Sequence, residues 1–310
     1  MSMIDEIRRI MADKQFSTIE EAQSFLDSYS RASNSRPREE FHGLSPDQMC
    51  QLLYRPFDSP ALVEFAPILA RTPSVLPVTL FALLVDAIGA KGLKPTATGN
   101  LPRKLVDEIA VASMSEEGYE EHVRFGQIRS ETDFPDLHIT NVVAQAAGLI
   151  RKYKGRLILG RECRRILANE GIAGIYPRFL RCFVTKFNWG YDDSYQDLEI
   201  VQTSAAFTLY LLHLYGDDWR DVSFYGQAFL KAFPRVTNEV MPTDYIDPIE
   251  RVLDCYVSRS LMRFAHFMGL IETQETQQEA NKYRLRTHRV KRTSFFDEVV
   301  RFYHPVTRAD

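Results

Sequence analysis

Clusters of Lys and Arg are the residues of this chain whose types and spacing point most clearly to chemistry. Three stretches, 91–104, 148–165 and 282–292, together hold 17 Lys and Arg but only one acid in 43 residues. The 310-residue chain has a formal net charge of −3, so its other residues are acidic overall. Local potential steers an anionic partner more than total charge does. The stretches therefore predict phosphate-binding surfaces, unless their cations only keep exposed hairpins soluble and unpaired.

Nine cations are the candidate phosphate ligands, because they lie on predicted strands or on one helix face. They are Arg151, Lys152, Lys154, Arg156, Arg259, Arg263, Lys282, Arg284 and Arg286. Arg259, Arg263 and His266 recur at i, i+4 and i+7 and so share a helix face. The cations of 282–286 alternate with apolar residues along a predicted strand and project to one side.

A second group of polar residues could read bases. His138, Asn141 and Gln145 recur at i, i+3 and i+7 of a predicted helix, opposite the apolar residues Val142 and Val143. Asn and Gln can pair with adenine edges in the major groove of DNA, which is wide enough to admit an α-helix. The same side chains suit a solvated helix face equally well, so both interpretations stand at this point.

Signatures of catalysis and of metal binding are missing from the sequence. The seven His and four Cys show no zinc-type spacing. Neither a Gly-x-x-x-x-Gly-Lys phosphate loop nor a Gly-x-Ser-x-Gly elbow occurs. Asp192 with Asp193, and Asp217 with Asp218, stand beside aromatic residues and could bind a metal, although such pairs are more typical of turns and helix starts. We predict a protein that is not an enzyme and uses no cofactor or metal.

Cysteine spacing and the apolar stretches indicate the compartment. The four Cys are far apart and form no Cys-x-x-Cys pair, which favours free thiols in a reducing cytoplasm. Residues 1–14 are charged and do not resemble a secretory signal. The most apolar stretch, 75–90, is shorter than the ~20 residues that a spanning helix needs. We expect a cytoplasmic protein without a membrane segment.

Three β-hairpins, each following a predicted helix, must position these cations. Apolar alternation and Gly-containing turns predict hairpins at 88–96, 149–159 and 270–287, with helix or loop nearly everywhere else. Helix 76–87 is apolar on almost every side, so it should be buried and contact no nucleic acid. Segment 288–303 should close the fold as a helix. The predicted fold class is mainly α with short β-hairpins, in repeated units around a helical middle region.

Five regions follow from this pattern. N-terminal helices with a polar linker occupy 1–40, and a first hairpin unit follows at 41–112. A second hairpin unit at 113–170 leads into a helical connector or dimerisation region at 171–240. The third hairpin unit is 241–310.

The hairpin units resemble winged-helix modules, a branch of the helix-turn-helix proteins. The matching pieces are Gly-Leu-Ile at 148–150 after a helix, a basic turn, the strand 156–159 and a further helix. Thr-Ala-Thr-Gly at 96–99 matches the Thr-x-x-Gly that ends the last strand of many such modules. The longer block at 96–104 resembles a poorly characterised bacterial family. The resemblance implies winged-helix-like units, the first of them degenerate, whose helix before the hairpin enters the major groove.

Non-enzymatic nucleic-acid binding is the function that these features predict, with DNA as the first candidate partner and regulation as one use of it. The alternative is a protein-interaction scaffold built from degenerate winged-helix units, because such modules also bind proteins. Region 171–240 would also suit a homodimer. Cations gathered on one face would favour nucleic acid, whereas cations paired with the chain's own acids would favour the scaffold.

Replacing both Arg284 and Arg286 with Ala should weaken binding to all DNA sequences alike. Each lost phosphate contact should lower the slope of log affinity against log salt concentration by about one. The free energy of unfolding should stay within about 0.5 kcal/mol of the wild type, because exposed substitutions seldom cost more. Titrating generic duplex DNA across a salt series measures the slope, and an unchanged slope would contradict the assignment.

Overall fold

The structure is a computed structural model that describes residues 9, 14, 16–124, 126–191, 193–195, 197–241, 247–275 and 288–303. Within these residues the chain is mainly helical, with small antiparallel sheets. The predicted fold class, mainly α with short β-hairpins, is confirmed. None of the described helices is both long and apolar enough to cross a bilayer.

Helices follow one another through short loops along most of the described chain. In chain order they are α1 (Ile19–Asn34), α2 (Pro46–Tyr54), α3 (Leu76–Ile88), α4 (Arg103–Ser113), α5 (Glu116–Val123), α6 (Pro135–Ala146), α7 (Arg161–Asn169), α8 (Ile175–Thr185), α9 (Glu199–Thr203), α10 (Ala205–Tyr215), α11 (Val222–Ala232), α12 (Pro248–Tyr256) and α13 (Phe296–Val299). A π-helix, Val257–His266, continues α12 without a break.

Strands pair over both short and long separations in sequence. They are β1 (Val63–Phe65), β2 (Ile150–Tyr153), β3 (Arg156–Leu159), β4 (Arg220–Asp221), β5 (Ile271–Glu275), β6 (His288–Arg292) and β7 (Val300–Phe302). β2 and β3 form a hairpin, β6 lies between β4 and β5, and β1 pairs with β7. The predicted hairpin at 149–159 is therefore confirmed.

Local signals set several helix boundaries. Ser45 caps α2: its hydroxyl accepts a hydrogen bond from the Gln48 N–H at 3.3 Å, and the Gln48 side chain accepts one from the Ser45 N–H at 2.8 Å. This reciprocal pair is a capping box. α6 begins at Pro135, whose missing N–H costs nothing at the first helical position. Gly148, with a φ of 72°, then turns the chain from α6 into β2.

The buried apolar residues form one cluster that draws on most of the described elements. α10 lies inside it, since every residue from Ala205 to Leu212 is buried. Tyr176 on α8 is also buried, and its hydroxyl donates to the Met268 carbonyl at 2.9 Å. Burial raises the pKa of the Tyr176 phenol well above its usual range, so the hydroxyl remains a neutral donor.

All four cysteines are free thiols, as predicted, and Cys163, Cys182 and Cys255 are buried. Burial raises the pKa of the Cys163 thiol to about 11. A thiol reacts as its thiolate, so Cys163 is an apolar packing residue rather than a nucleophile.

The predicted hairpin at 88–96 is wrong. Residues 92–93 lie instead beside the β2–β3 hairpin, where Leu93 forms an antiparallel bridge with Leu157 of β3. The Leu93 N–H donates to the Leu157 carbonyl at 2.9 Å, and the Leu157 N–H donates to the Leu93 carbonyl at 2.8 Å. Pro95, which cannot donate to a strand ladder, follows at once and prevents a longer strand.

Two predictions for the C-terminal part are also wrong: the partner strand predicted within 270–287, and the single helix predicted for 288–303. β5 pairs with β6, so the returning strand is 288–292, and residues 276–287 lie outside the described part of the chain. Segment 288–303 forms β6, α13 and β7 rather than one helix. Val290, Val299 and Phe302 fit a helical stripe in one dimension, but burial alternates with a period of two along β7, and Val290 is the one buried residue of β6.

Replacing Leu84 with Ala should test the prediction that α3 is core. Leu84 is fully buried on α3, which packs against α6, so the truncation should cost about 2–5 kcal/mol of the free energy of unfolding. Leu83 is only partly buried, so its change to Ala is the matched control and should cost clearly less. Urea unfolding followed by circular dichroism measures both; equal costs would contradict this packing.

Candidate nucleic-acid interface

The β2–β3 hairpin projects a tight, basic turn into solvent. Lys154 and Gly155 connect the strands, and both have positive φ, 45° and 72°. Two such residues make the turn whose twist matches that of the paired strands. All six residues from 151 to 156 are exposed, so the turn and both flanking strand ends are accessible.

The two faces of this hairpin differ in character. Ile150 and Leu157 are buried beneath it, at 1% and 2% exposure. Side chains alternate along a strand, so Arg151 and Tyr153 project from the opposite, outer face, where the register places Arg156 directly across from Tyr153. Tyr153 is 57% exposed, and the Lys154 ammonium lies 5.5 Å from the centre of its ring.

The first basic stretch joins the second on this outer face. Leu93 pairs with Leu157, so the following Lys94 lies next to Arg156 across the bridge. The Arg156 guanidinium also donates to the Gly92 carbonyl at 2.7 Å. A side chain at Gly92 would meet the Leu157 carbonyl at 2.9 Å, so the close approach of this segment requires glycine. Lys91 and Lys94 therefore lie along the edge of the hairpin.

Six exposed cations make up what we call the wing surface. They are Lys91, Lys94, Arg151, Lys152, Lys154 and Arg156. Among the described residues, no acid forms an ion pair with any of them. The wing surface is thus a concentrated positive region that the described part of the chain does not neutralise.

The residues predicted to read bases do not face solvent. His138 and Asn141 are buried, and Gln145, although exposed, donates to the Asn141 side-chain oxygen at 3.1 Å. Helix α8 covers α6: its Arg178 donates to the Ala147 carbonyl and its Cys182 thiol to the Val143 carbonyl. Buried side chains cannot reach base edges, so this prediction is wrong for His138 and Asn141.

Glu131 occupies the centre of these buried polar groups. Its carboxylate is 1% exposed and accepts from the Leu101 N–H at 2.6 Å, His138 Nδ1 at 2.9 Å and Asn141 Nδ2 at 2.9 Å. The other ring nitrogen of His138, Nε2, is hydrogen-bonded to the Tyr191 hydroxyl at 2.9 Å. Sequence reasoning missed Glu131, although an acid four residues ahead of a helix that begins with proline was the available signal.

The candidate ligands Arg259 and Arg263 are internal structural residues. The Arg259 side chain is 2% exposed and binds both carboxylate oxygens of Asp193, at 2.8 and 2.9 Å. Arg263 donates to the same carboxylate at 3.1 Å and to the Tyr191 carbonyl at 2.8 Å. Their charges are used inside the protein, so their assignment as phosphate ligands is wrong.

The remaining cations of the third stretch divide into two groups. Lys282, Arg284 and Arg286 lie outside the described residues, so their role stays a prediction. Arg292 on β6 pairs with Asp217 at 2.6 Å and with Asp297 at 2.8 Å. Within the described residues no group of three or more metal-ligating side chains occurs.

Arg259 should therefore behave as a stability residue. Its change to Ala leaves the Asp193 carboxylate buried with fewer donors and should cost about 3–5 kcal/mol of the free energy of unfolding. The exposed Arg151, changed to Ala, is the control and should stay within about 0.5 kcal/mol. Chemical denaturation measures both, and an Arg259 variant as stable as the wild type would contradict the internal role.

Comparison with known proteins gives one match. Residues 72–172 match the family model of the Y4jL N-terminal domain. A search of curated proteins found no match, and a search of solved structures found none either. The matched segment runs from just before α3 to just after α7, so it includes the Leu93 bridge, the covered helix α6 and the whole wing surface. This segment of the chain is similar to the Y4jL N-terminal domain.

Proposed function

We propose that this protein is a non-enzymatic nucleic-acid-binding protein that contacts DNA through the wing surface. The observation that carries the proposal is the group of six exposed cations on and beside the β2–β3 hairpin, for which the described chain supplies no acid partner. Multiple Lys and Arg contacts to phosphates supply essentially all of the affinity in sequence-independent binding.

The order of the elements in segment 72–172 supports the proposal. Helix α6 leads directly into the basic hairpin, and α7 follows it, which is the order that the resemblance implies. The Leu93 bridge adds a third strand position to the hairpin and places Lys94 next to Arg156, close to the turn. Exposed cations of two of the three basic stretches are thus gathered at one hairpin, which supports nucleic acid over the scaffold.

The mode of binding differs from major-groove recognition. Because His138 and Asn141 are buried, α6 does not offer these side chains to a major groove, and the proposed contacts are those of the hairpin and its edge. Contacts to phosphate and sugar fix a protein on the duplex but carry no direct sequence information. The expected binding is therefore independent of sequence and strongly dependent on salt.

Tyr153 gives the wing surface an aromatic group among its cations. Its hydroxyl can donate to a phosphate, and its exposed ring can stack on an unpaired base. Binding to single strands would use both properties, whereas binding to a duplex would use the hydroxyl alone.

The second candidate function is a protein-interaction scaffold, which a specific observation favours. His138 and Asn141 of α6 are buried and cannot read bases. Among the described cations of the third stretch, Arg292 is paired with two acids of the chain itself. In that case the wing surface would bind an acidic segment of a partner protein.

A triple variant of the wing surface separates these functions. Changing Lys94, Arg151 and Lys154 to Ala should weaken binding to any DNA sequence and lower the salt slope by about two to three, since each phosphate contact contributes about 0.9. Arg156 is left intact because its guanidinium also holds the Gly92 carbonyl. Fluorescence anisotropy with duplex DNA of two unrelated sequences, across a salt series, measures affinity and slope.

The matched control changes three exposed cations outside the wing surface, Arg55, Lys186 and Arg235, to Ala. Both triple variants have the same net charge, so a general charge effect would weaken binding equally. Retained DNA binding by the wing variant, or equal losses in the two variants, would count against the proposal. Loss of a protein complex in the wing variant, with no DNA binding by the wild type, would favour the scaffold.

A further inference from the structure

A cavity of about 670 Å³ lies between the start of α6 and the π-helix. Its apolar wall is formed by Val75, Ile139, Met262, Phe267, Ile271 and Phe295. Cavities of this size, mostly apolar with a few convergent polar groups, are typical of sites for small molecules. The wall combines residues of segment 72–172 with residues from the C-terminal part, so an occupant would contact both.

One carboxylate, that of Asp136, lines this cavity. Among the described residues no side chain or N–H donates a hydrogen bond to it, and none forms an ion pair with it. Burial raises the pKa of Asp136, an effect that the charges of His266 and His122 oppose. A partly buried carboxylate is costly unless it is paired.

The cations around the cavity are already engaged. Arg263 donates to Asp193 and to the Tyr191 carbonyl, and Arg71 pairs with Glu298 at a distance of 2.5 Å. His266 stands at the exposed rim, where partial burial of its ring lowers its pKa and Asp136 only partly opposes that effect. A neutral His266 offers a ring nitrogen as a hydrogen-bond acceptor. The cavity therefore offers hydrogen-bond acceptors to an occupant, whereas its two arginines are paired with other groups of the protein.

We propose that this cavity binds a small organic cation, an amine carried on an apolar body. The ammonium group would donate to the Asp136 carboxylate, with His266 as a second acceptor. The apolar body would pack against Met262, Phe267 and Phe295. A ligand of this class replaces the missing partner of Asp136 and fills the apolar volume at the same time, which neither an anion nor a neutral apolar molecule does.

Three probes of nearly equal size test the proposal: 2-phenylethylamine, 2-phenylethanol and 3-phenylpropionate. Titration of the wild-type protein, followed by ligand-observed NMR, should show the amine binding about tenfold or more tightly than the alcohol, because a charged hydrogen bond outweighs a neutral one. The carboxylate should bind most weakly. Equal affinity for amine and alcohol, or no amine binding at millimolar concentration, would overturn the proposal regardless of any variant.

Two variants locate the site. Asp136→Asn keeps the shape of the side chain and should reduce amine affinity to that of the alcohol, whereas the control Asp86→Asn, at an exposed site on α3 away from the cavity, should leave it unchanged. Met262→Trp fills the cavity without altering its charge and should abolish binding of all three probes. Undiminished amine binding in both Asp136→Asn and Met262→Trp, with thermal unfolding showing both folded, would place the site elsewhere and overturn the proposal.

Discussion

A single desolvated carboxylate, Glu131, sets the arrangement on which the rest of the structure depends. A carboxyl group at 1% exposure is costly to bury unless it is hydrogen-bonded, and three donors from two separate segments bind this one. The Leu101 N–H lies just before α4, whereas His138 and Asn141 are on α6. Their shared acceptor therefore fixes the position of α6 against the start of α4, and the hairpin that follows α6 is placed with it.

A chain of polar contacts connects His138, which binds Glu131, with residues of the C-terminal part. His138 binds the Tyr191 hydroxyl, the Tyr191 carbonyl accepts from Arg263, and Arg263 and Arg259 share Asp193. Groups that would suit a binding surface are thus used to join two parts of one protein. The six cations of the wing surface take no part in these contacts.

Sequence reasoning succeeded where structure is determined locally. The hairpin at 149–159 follows from apolar alternation around a Lys-Gly turn, and α3 was predicted as 76–87 against an observed Leu76–Ile88. It failed where the partner of a strand comes from a distant part of the sequence. Leu93 pairs with Leu157 rather than within its own hairpin, and β6 pairs with β5 and β4. Spacing also could not show that His138 and Asn141 of α6 bind Glu131 inside the protein, because a buried polar network and a solvated helix face have the same period.

The pairing of β1 with β7 has a consequence for the order of folding during synthesis. Val63–Phe65 meets Val300–Phe302 across nearly the whole chain, and Val63 is only 2% exposed in the finished protein. Translation proceeds at about 5–20 residues per second, so β1 waits roughly tens of seconds on the ribosome before its partner strand emerges. All of segment 72–172 emerges within that interval. The nascent chain thus exposes an unpaired strand, with Val63 and Phe65 uncovered, for most of its synthesis, the situation in which chaperones engage their clients.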